Sequence, residues 1–202
     1  MSSILASLKN YFSLVKFSHT VFAMPFAIIG FSLAVSENEH EFSLRLLLLV
    51  ILCMIFARNA AMGFNRVADR RFDAINPRTS SREIPSGKIS TRAATLFVVV
   101  NSLLFITAAG FINKLTLFLS PVALIIILGY SLTKRMTSLC HFILGLGLSL
   151  APIGAYISVT GSFSLLPVIY SLVVLTWVSG FDIIYALQDD EFDRTNELQS
   201  IP

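Results

Sequence analysis

The chain alternates long apolar runs with short polar breaks. Six runs are long enough to cross roughly 30 Å of hydrocarbon at about twenty residues each, near residues 17–35, 43–63, 93–112, 115–132, 139–159 and 164–187. Pro25, Pro121, Pro152 and Pro167 fall inside these runs or at their ends. Neighbouring helices can re-satisfy the carbonyls that proline frees, so kinked helices around a cavity are expected. Ahead of the first run, Ile4, Leu5, Leu8, Phe12 and Val15 recur at helical spacing, with Lys9 and Lys16 elsewhere on the wheel. That pattern predicts a helix over 1–16 lying in the headgroup region. The fifth run carries Gly145, Gly147, Ser149, Ala151, Gly154 and Ala155. Close helix packing accounts for such small side chains, a cavity wall being the alternative. The expected fold is all-α, a multi-pass transmembrane helical bundle over 1–202 in one domain, with polar motif segments at 64–92 and 188–202.

Composition narrows the class. Of 202 residues 55% are hydrophobic and only 13% charged, whereas a soluble domain is usually about a quarter charged. The chain therefore reads as an integral membrane protein, and nothing in it supports nucleic-acid binding. Its first apolar run is long enough to span, which distinguishes it from a cleavable signal. Cys53 and Cys140 lie in or beside apolar runs without CxxC spacing and read as small buried hydrophobes. His19, His40 and His141 share no spacing that suggests a metal site, which leaves surface or packing roles. Trp177 reads as lipid-facing or packed.

Placement of charge matters more than its total of +3. With the N-terminus assigned to the cytoplasm, only Arg45 and Lys114 of the fifteen Lys and Arg fall outside, as the positive-inside rule requires. The acidic stretch Glu37, Glu39, Glu41 is then external, while both carboxylate clusters described next are internal.

The first cluster is Asn65, Asp69 and Asp73, which recur every four residues and so share one face of a helix. The second, Gln188 to Asp193, repeats the spacing at Asp189 and Asp193. Stacked carboxylates at the ends of apolar runs call for a counterion, and an all-oxygen ligand set favours Mg²⁺ over zinc. The segment 64–92 is rich in Arg and Lys interleaved with Asp69, Asp73 and Glu83. A lipid-headgroup surface would look the same. Joined to the carboxylate array, however, it has the parts of a diphosphate site, in which carboxylates hold Mg²⁺ and Arg or Lys neutralise phosphate oxygens.

Asp182 lies well inside the sixth run, where an acid at mid-membrane costs about 2.5 to 3.5 kcal/mol on insertion scales. Asp182, Tyr185, Asp189 and Asp193 advance by three, four and four residues and form one polar stripe entering the bilayer. A water-filled pocket explains that stripe. Arg58, late in the second run, can pair with an acceptor's carboxylate through its fork geometry or snorkel to the headgroups.

These residues resemble the UbiA-type intramembrane aromatic prenyltransferases, in particular the 4-hydroxybenzoate polyprenyltransferase branch. Asn65-Arg66-Val67-Ala68-Asp69-Arg70-Arg71-Phe72-Asp73 is similar to the family's NxxxDxxxD motif. The likeness continues through Asn76-Pro77-Arg78-Thr79, Arg82-Glu83-Ile84-Pro85-Ser86-Gly87 and Tyr130-Ser131-Leu132-Thr133-Lys134-Arg135. It also takes in Tyr185-Ala186-Leu187-Gln188-Asp189 to Phe192-Asp193-Arg194 and the opening Lys16-Phe17-Ser18-His19-Thr20.

The resemblance implies a ring of about nine transmembrane helices around a cavity that opens sideways to lipid, of which six are present here. It implies Mg²⁺-dependent transfer of a polyprenyl group from polyprenyl diphosphate to a hydroxylated aromatic acid in quinone biosynthesis, in a bacterial inner membrane. Asn65, Asp69 and Asp73 would help hold one metal, and Asp189 and Asp193 the other. Arg66, Arg78, Arg82, Lys134 and Arg135 would meet the diphosphate, Arg58 and Tyr185 the acceptor. Asp182 or Asp190 would take the ring proton, unless Asp182 is a structural hydrogen-bond acceptor.

Two departures from the family pattern stand out. Glu197 occupies a position where the branch commonly has Gly, which is expected to alter the turn after the second motif. The chain stops at Pro202, directly after that motif, so three cavity-wall helices are expected to be missing, as in a fragment or an inactive truncated product. A naphthoate-type acceptor is the rival within the same chemistry. A cation-binding, transporter-like protein is the rival outside it; that class places acids or broken helices near the midplane in both halves, whereas here the acids cluster at one face.

Overall fold

The computed structural model describes residues 2–37 and 41–202, without the side chains of 2–8 and 17–20. The readings of Glu39 and His40, of the His19 side chain and of Ile4, Leu5 and Leu8 therefore lie outside the described residues.

Every regular element among the described residues is helical: α1 (Ser2–Val15), α2 (Phe17–Glu37), α3 (Leu44–Ile75), α4 (Thr91–Gly110), α5 (Lys114–Thr133), α6 (Cys140–Thr160), α7 (Leu165–Ala186), a 3₁₀ turn (Leu187–Asp189) and α8 (Asp190–Thr195). Five stretches, α3 to α6 and the one beginning with α7, are long and apolar enough to cross a membrane, and Val21–Glu37 adds a shorter apolar helix. The fold is thus the all-α, multi-pass bundle that the apolar runs predict.

Helix ends follow local chemistry. The Ser43, Ser90 and Asn113 side chains accept from the Leu46, Ala93 and Thr116 amides and start α3, α4 and α5. Gly161, at φ 66, ends α6 in the left-handed conformation that glycine adopts without a Cβ clash. Pro167 sits in the first turn of α7, where a missing N–H leaves no bond unmade.

Packing decides where space is left. α2, α3, α5 and α6 touch in a closed cycle, with α4 against α3 and α5 on one side and α7 against α6 on the other. α2 approaches α6 so closely at Gly30 that a Cβ there would overlap the Pro152 carbonyl. α6 meets α7 in the same way at Gly145, where a Cβ would strike Ser179 and the Leu175 carbonyl. The small residues of α6 divide between two tasks. Gly145 serves close packing, whereas Gly147, Ala151, Gly154 and Ala155 line a cavity of about 170 Å³ inside the cycle. The alternative of a cavity wall thus holds for one face of the helix.

α3 is longer than its apolar run. Its 32 residues measure about 48 Å at 1.5 Å per residue, so it carries residues 64–75 beyond the hydrocarbon as continuous helix. The connection from Asn76 to Ser90 folds into turns that bury Asn76, Thr79, Glu83 and Ile89. α1 docks on it. Leu14 packs with Ile89 and Ala94, Tyr11 stacks near Phe97, and the Ser13 hydroxyl donates to Glu83 at 2.5 Å. Phe12 is exposed.

Candidate functional site

Four helix ends meet at one end of the bundle: the extension of α3, the end of α5, the start of α6 and the end of α7. Between them lies a cavity of about 550 Å³. Asn65, Arg66, Asp69, Asp73, Arg78, Arg82, Lys134, Arg135, Asp182, Tyr185, Asp189, Asp193 and Arg58 all line it. Every candidate residue read from the sequence except Asp190 is therefore gathered on one wall or another of a single chamber. The two acidic motifs stand at the same end of the bundle.

The acids of the motifs are each held by a base from elsewhere in the chain. Arg82 donates to Asp73 at 2.6 Å and Arg135 to Asp69 at 3.0 Å. Arg78 forms a two-pronged pair with Asp189, its Nε at 2.9 Å from Oδ1, while Lys134 Nζ is 2.6 Å from Asp193. Three of these pairs tie the motifs together. Arg78 and Asn76, just after the first motif, both bind Asp189 in the second. The adjacent Lys134 and Arg135 hold one acid of each. The bond to Asp189 raises the Arg78 pKa above the ordinary arginine value.

Within the first motif Asn65 donates to Asp69 at 2.9 Å, as helical i, i+4 neighbours can. The second motif differs from the regular helix expected. α7 stops at Ala186, a 3₁₀ turn carries Asp189, and α8 begins at Asp190. Asp190 faces Arg194 at 2.7 Å and does not line the chamber, whereas Asp182 does.

Mg²⁺ needs only one or two carboxylates per ion and keeps waters or phosphate oxygens for the rest. Among the described residues no three His, Cys, Asp or Glu converge into a ready-made metal cage. The donor set nevertheless fits a hard cation, since it consists of oxygen ligands from Asp, with Asn65 and Asn76 at hand. Asp73, only 5% exposed, also keeps its Oδ2 buried without a hydrogen-bond partner among the described residues, an orphan acceptor that a cation would satisfy.

Two guanidinium groups are orphans of the opposite kind. Arg66 is 3% exposed, and the Nε atoms of both Arg66 and Arg58 are buried without a partner among the described residues. Neither makes an ion pair with a described residue. Buried, unpaired donors of this kind cost free energy unless an anion meets them. Arg58 lies about 16 Å along α3 from Asp69, at 1.5 Å per residue, and with Tyr130, Leu144 and Leu148 it also borders the apolar cavity. It stands inside the bundle between the two spaces, so snorkelling does not describe it.

Sequence reasoning missed two residues of this chamber. Lys16 lines it from the junction of α1 and α2; burial, with Arg66, Arg82 and Arg78 nearby, pulls its pKa below the ordinary lysine value. Its place in a basic, helix-joining position was the available signal. His141 is the second. It is buried at 2% exposure, with Nδ1 at 2.7 Å from Asp182, and no spacing in the chain connects residues so far apart. Cys53 and Cys140 are buried, and Trp177 is exposed on α7.

Fold and chamber define a multi-pass membrane protein whose bundle holds a charged cavity at one end and an apolar one behind it. Residues 23–202 match the UbiA prenyltransferase family, and the chain belongs to that family. The 4-hydroxybenzoate octaprenyltransferase of Tolumonas auensis is 33% identical over 148 residues, a match covering 73% of this chain and 52% of that protein. The chain spans about half the length of the curated relatives it matches. A UbiA homolog from Aeropyrum pernix K1 superposes with a TM-score of 0.83 at 35% identity, over 92% of this chain and 69% of that one. A UbiA homolog from Archaeoglobus fulgidus bound to GPP and Mg²⁺ superposes with a TM-score of 0.76 at 24% identity, over 96% and 68%, which attests the fold.

Proposed function

We propose that the chain transfers a polyprenyl group from polyprenyl diphosphate to a hydroxylated aromatic acid of the 4-hydroxybenzoate kind, with Mg²⁺, as a step of quinone biosynthesis. The observation that carries this reading is the single chamber in which paired acids and bases stand beside Arg58 and Arg66, whose Nε atoms are buried without a hydrogen-bond partner among the described residues. The relatives named 4-hydroxybenzoate octaprenyltransferase support the choice of acceptor.

Asn65, Asp69 and Asp73 would hold one Mg²⁺, Asp189 and Asp193 another. When bound, the metal supplies Lewis-acid neutralisation of charge developing on the leaving diphosphate. Each ion pair of the present structure offers two partners to the incoming substrate, the carboxylate to the cation and the base to phosphate. Arg78, Arg82, Lys134 and Arg135 are thus placed to bind diphosphate, with Arg66 and Lys16 adding charge from the chamber wall. As the allylic C–O bond breaks, its electron pair leaves with the diphosphate, which these fixed cations stabilise.

The prenyl tail has the apolar cavity beyond Tyr130 and Leu148 to enter. Arg58 faces the acceptor's carboxylate at the border of the two spaces, and Tyr185 presents a ring from α7. The acceptor ring's π pair forms the new C–C bond. The proton of that ring carbon passes to the Asp182 carboxylate, and aromaticity returns. Excluding water from this chamber protects the allylic cation from hydrolysis.

In the cell the N-terminus and both acidic motifs would face the cytoplasm of a bacterial inner membrane, since the basic residues gather at that end. The reading is tested with membranes carrying the protein, supplied with Mg²⁺, labelled polyprenyl diphosphate and a panel of hydroxybenzoates and hydroxynaphthoates. Labelled prenyl hydroxybenzoate that disappears with EDTA is expected. Release of free prenyl alcohol without any prenylated acid, or product indifferent to EDTA, would overturn it.

A further inference from the structure

His141 makes contacts on both sides of its ring. Nδ1 faces Asp182 Oδ2 at 2.7 Å; an ionised carboxylate only accepts, so Nδ1 carries the proton of that bond. Nε2 lies 3.0 Å from the Ser200 hydroxyl and 3.4 Å from the Ile201 amide. The ring itself is buried, while the Asp182 side chain is 31% exposed to the chamber. Both side chains line the chamber, the imidazole buried and the carboxylate the more open of the two.

The segment that reaches Nε2 is fastened at other points. The Leu198 amide donates to the Asp193 carbonyl at 2.9 Å and the Gln199 amide to the Lys134 carbonyl at 2.7 Å. Cys140 Sγ sits 3.5 Å from the Gln199 carbonyl. Because Lys134 also pairs with the Asp193 carboxylate, a closed chain of contacts runs from the second motif through Lys134, Gln199, Ser200 and His141 to Asp182. Its covalent counterpart is α7, which joins Asp182 to the 3₁₀ turn and α8.

We infer that His141 is a positioning residue that sets the Asp182 carboxylate on the chamber wall and, through Ser200 and Ile201, locks residues 198–201 to it. The inference rests on the reading of Asp182 as proton acceptor only for its catalytic consequence; the lock is a statement about the fold. A carboxylate with one oxygen fixed turns the other toward the chamber, and a general base must be held within hydrogen-bond reach of its proton. Motif and base then keep one relative geometry, although α7 breaks between them.

Two conservative variants separate the two sides of the ring. The amide of His141→Asn can stand where Nδ1 stands, and that of His141→Gln where Nε2 stands. Amide hydrogen exchange of residues 198–201, measured on the full chain in nanodiscs, should quicken by about tenfold or more in His141→Asn. His141→Gln should keep most of that protection. Turnover should show the reverse order. His141→Gln should lower kcat by about tenfold or more with KM for polyprenyl diphosphate unchanged, and His141→Asn should recover a large part of the loss. In the Asp182→Asn background His141→Gln should add no further loss, as expected for residues acting in series.

Equal exchange in wild type and both variants overturns the lock, whatever the activity. Additive losses in the double variant, or kcat that ignores His141→Gln, overturn the positioning of Asp182. A wild-type chain without prenyl transfer but with exchange responding as described would instead sink the functional reading and leave the lock standing.

Discussion

The first acidic motif rides on an uninterrupted helix, whereas the second straddles a break. Asn65, Asp69 and Asp73 occupy successive turns of α3, and their spacing alone places them on the chamber wall. Asp189 and Asp193 share the same spacing, yet a 3₁₀ turn separates α7 from α8 between them and the rest of their helix. Their positions are set by donors brought from elsewhere: Arg78 and Asn76 for Asp189, Lys134 for Asp193. One motif is positioned by its own backbone, the other by its partners. Two such halves of the proposed diphosphate site should fail differently, because a rigid half loses only the ligand removed while a braced half also loses its place.

Removing a carboxylate tests the functional equality of the halves and carries the largest effect. Asp69→Ala and Asp189→Ala should each reduce prenyl transfer by about a thousandfold or more, since each deletes a carboxylate that would hold the Mg²⁺ through which charge on the leaving diphosphate is neutralised. Membrane insertion, followed by protease protection of the loops, should be intact. Substantial turnover in either variant would show that a single motif suffices.

Removing a brace tests their structural inequality. Lys134→Ala should cost about a hundredfold in kcat/KM for polyprenyl diphosphate, combining loss of a phosphate partner with release of Asp193. Arg135→Ala should cost about ten times less, because α3 holds Asp69 in place without it; Asn65 also binds that carboxylate. The contrast is read from steady-state kinetics of the two neighbours, and the reverse order would contradict it.

Arg58→Lys reaches past both motifs to the border with the apolar cavity. A lysine keeps the charge and loses the planar fork. KM for the aromatic acid should rise by about tenfold, with KM for polyprenyl diphosphate unmoved. An increase in the diphosphate KM instead would relocate Arg58 to the headgroup end.

What the chain reveals in advance divides along the same line. The six apolar runs and the one-face spacing of the first motif are local patterns, and both reappear in the helices. The stripe Asp182, Tyr185, Asp189 is likewise local and does line the chamber. The break in α7 was invisible, because no proline or glycine interrupts Ile183 to Phe192. The pairing of acids with bases was equally hidden, since Arg78 and Asp189 are brought together by the packing of distant helices. For the same reason His141 reads as an isolated histidine in an apolar helix until Asp182 is placed beside it. The extension of α3 past its apolar run was legible only as a motif, because charged residues hide a helix from any count of hydrophobicity.

The smallest effect concerns the turn that follows the second motif. Glu197 has φ 54, in the left-handed region, where the 4-hydroxybenzoate branch commonly carries glycine. The glutamate does not abolish the turn: the Leu198 amide still reaches the Asp193 carbonyl at 2.9 Å. It holds the turn at a steric cost, because a Cβ in that conformation crowds the following carbonyl by about 1 to 2 kcal/mol. Glycine would remove this strain and add about 0.5 to 1 kcal/mol of backbone entropy to the unfolded chain. The net gain for Glu197→Gly is therefore about 0.5 to 1 kcal/mol, seen as a rise in the thermal midpoint of the protein in detergent. At Glu197 the left-handed residue lets the chain reverse onto Lys134, a turn that the first motif does not need. A fall in stability would mean that the glutamate side chain contributes more to the braced half than its backbone takes away.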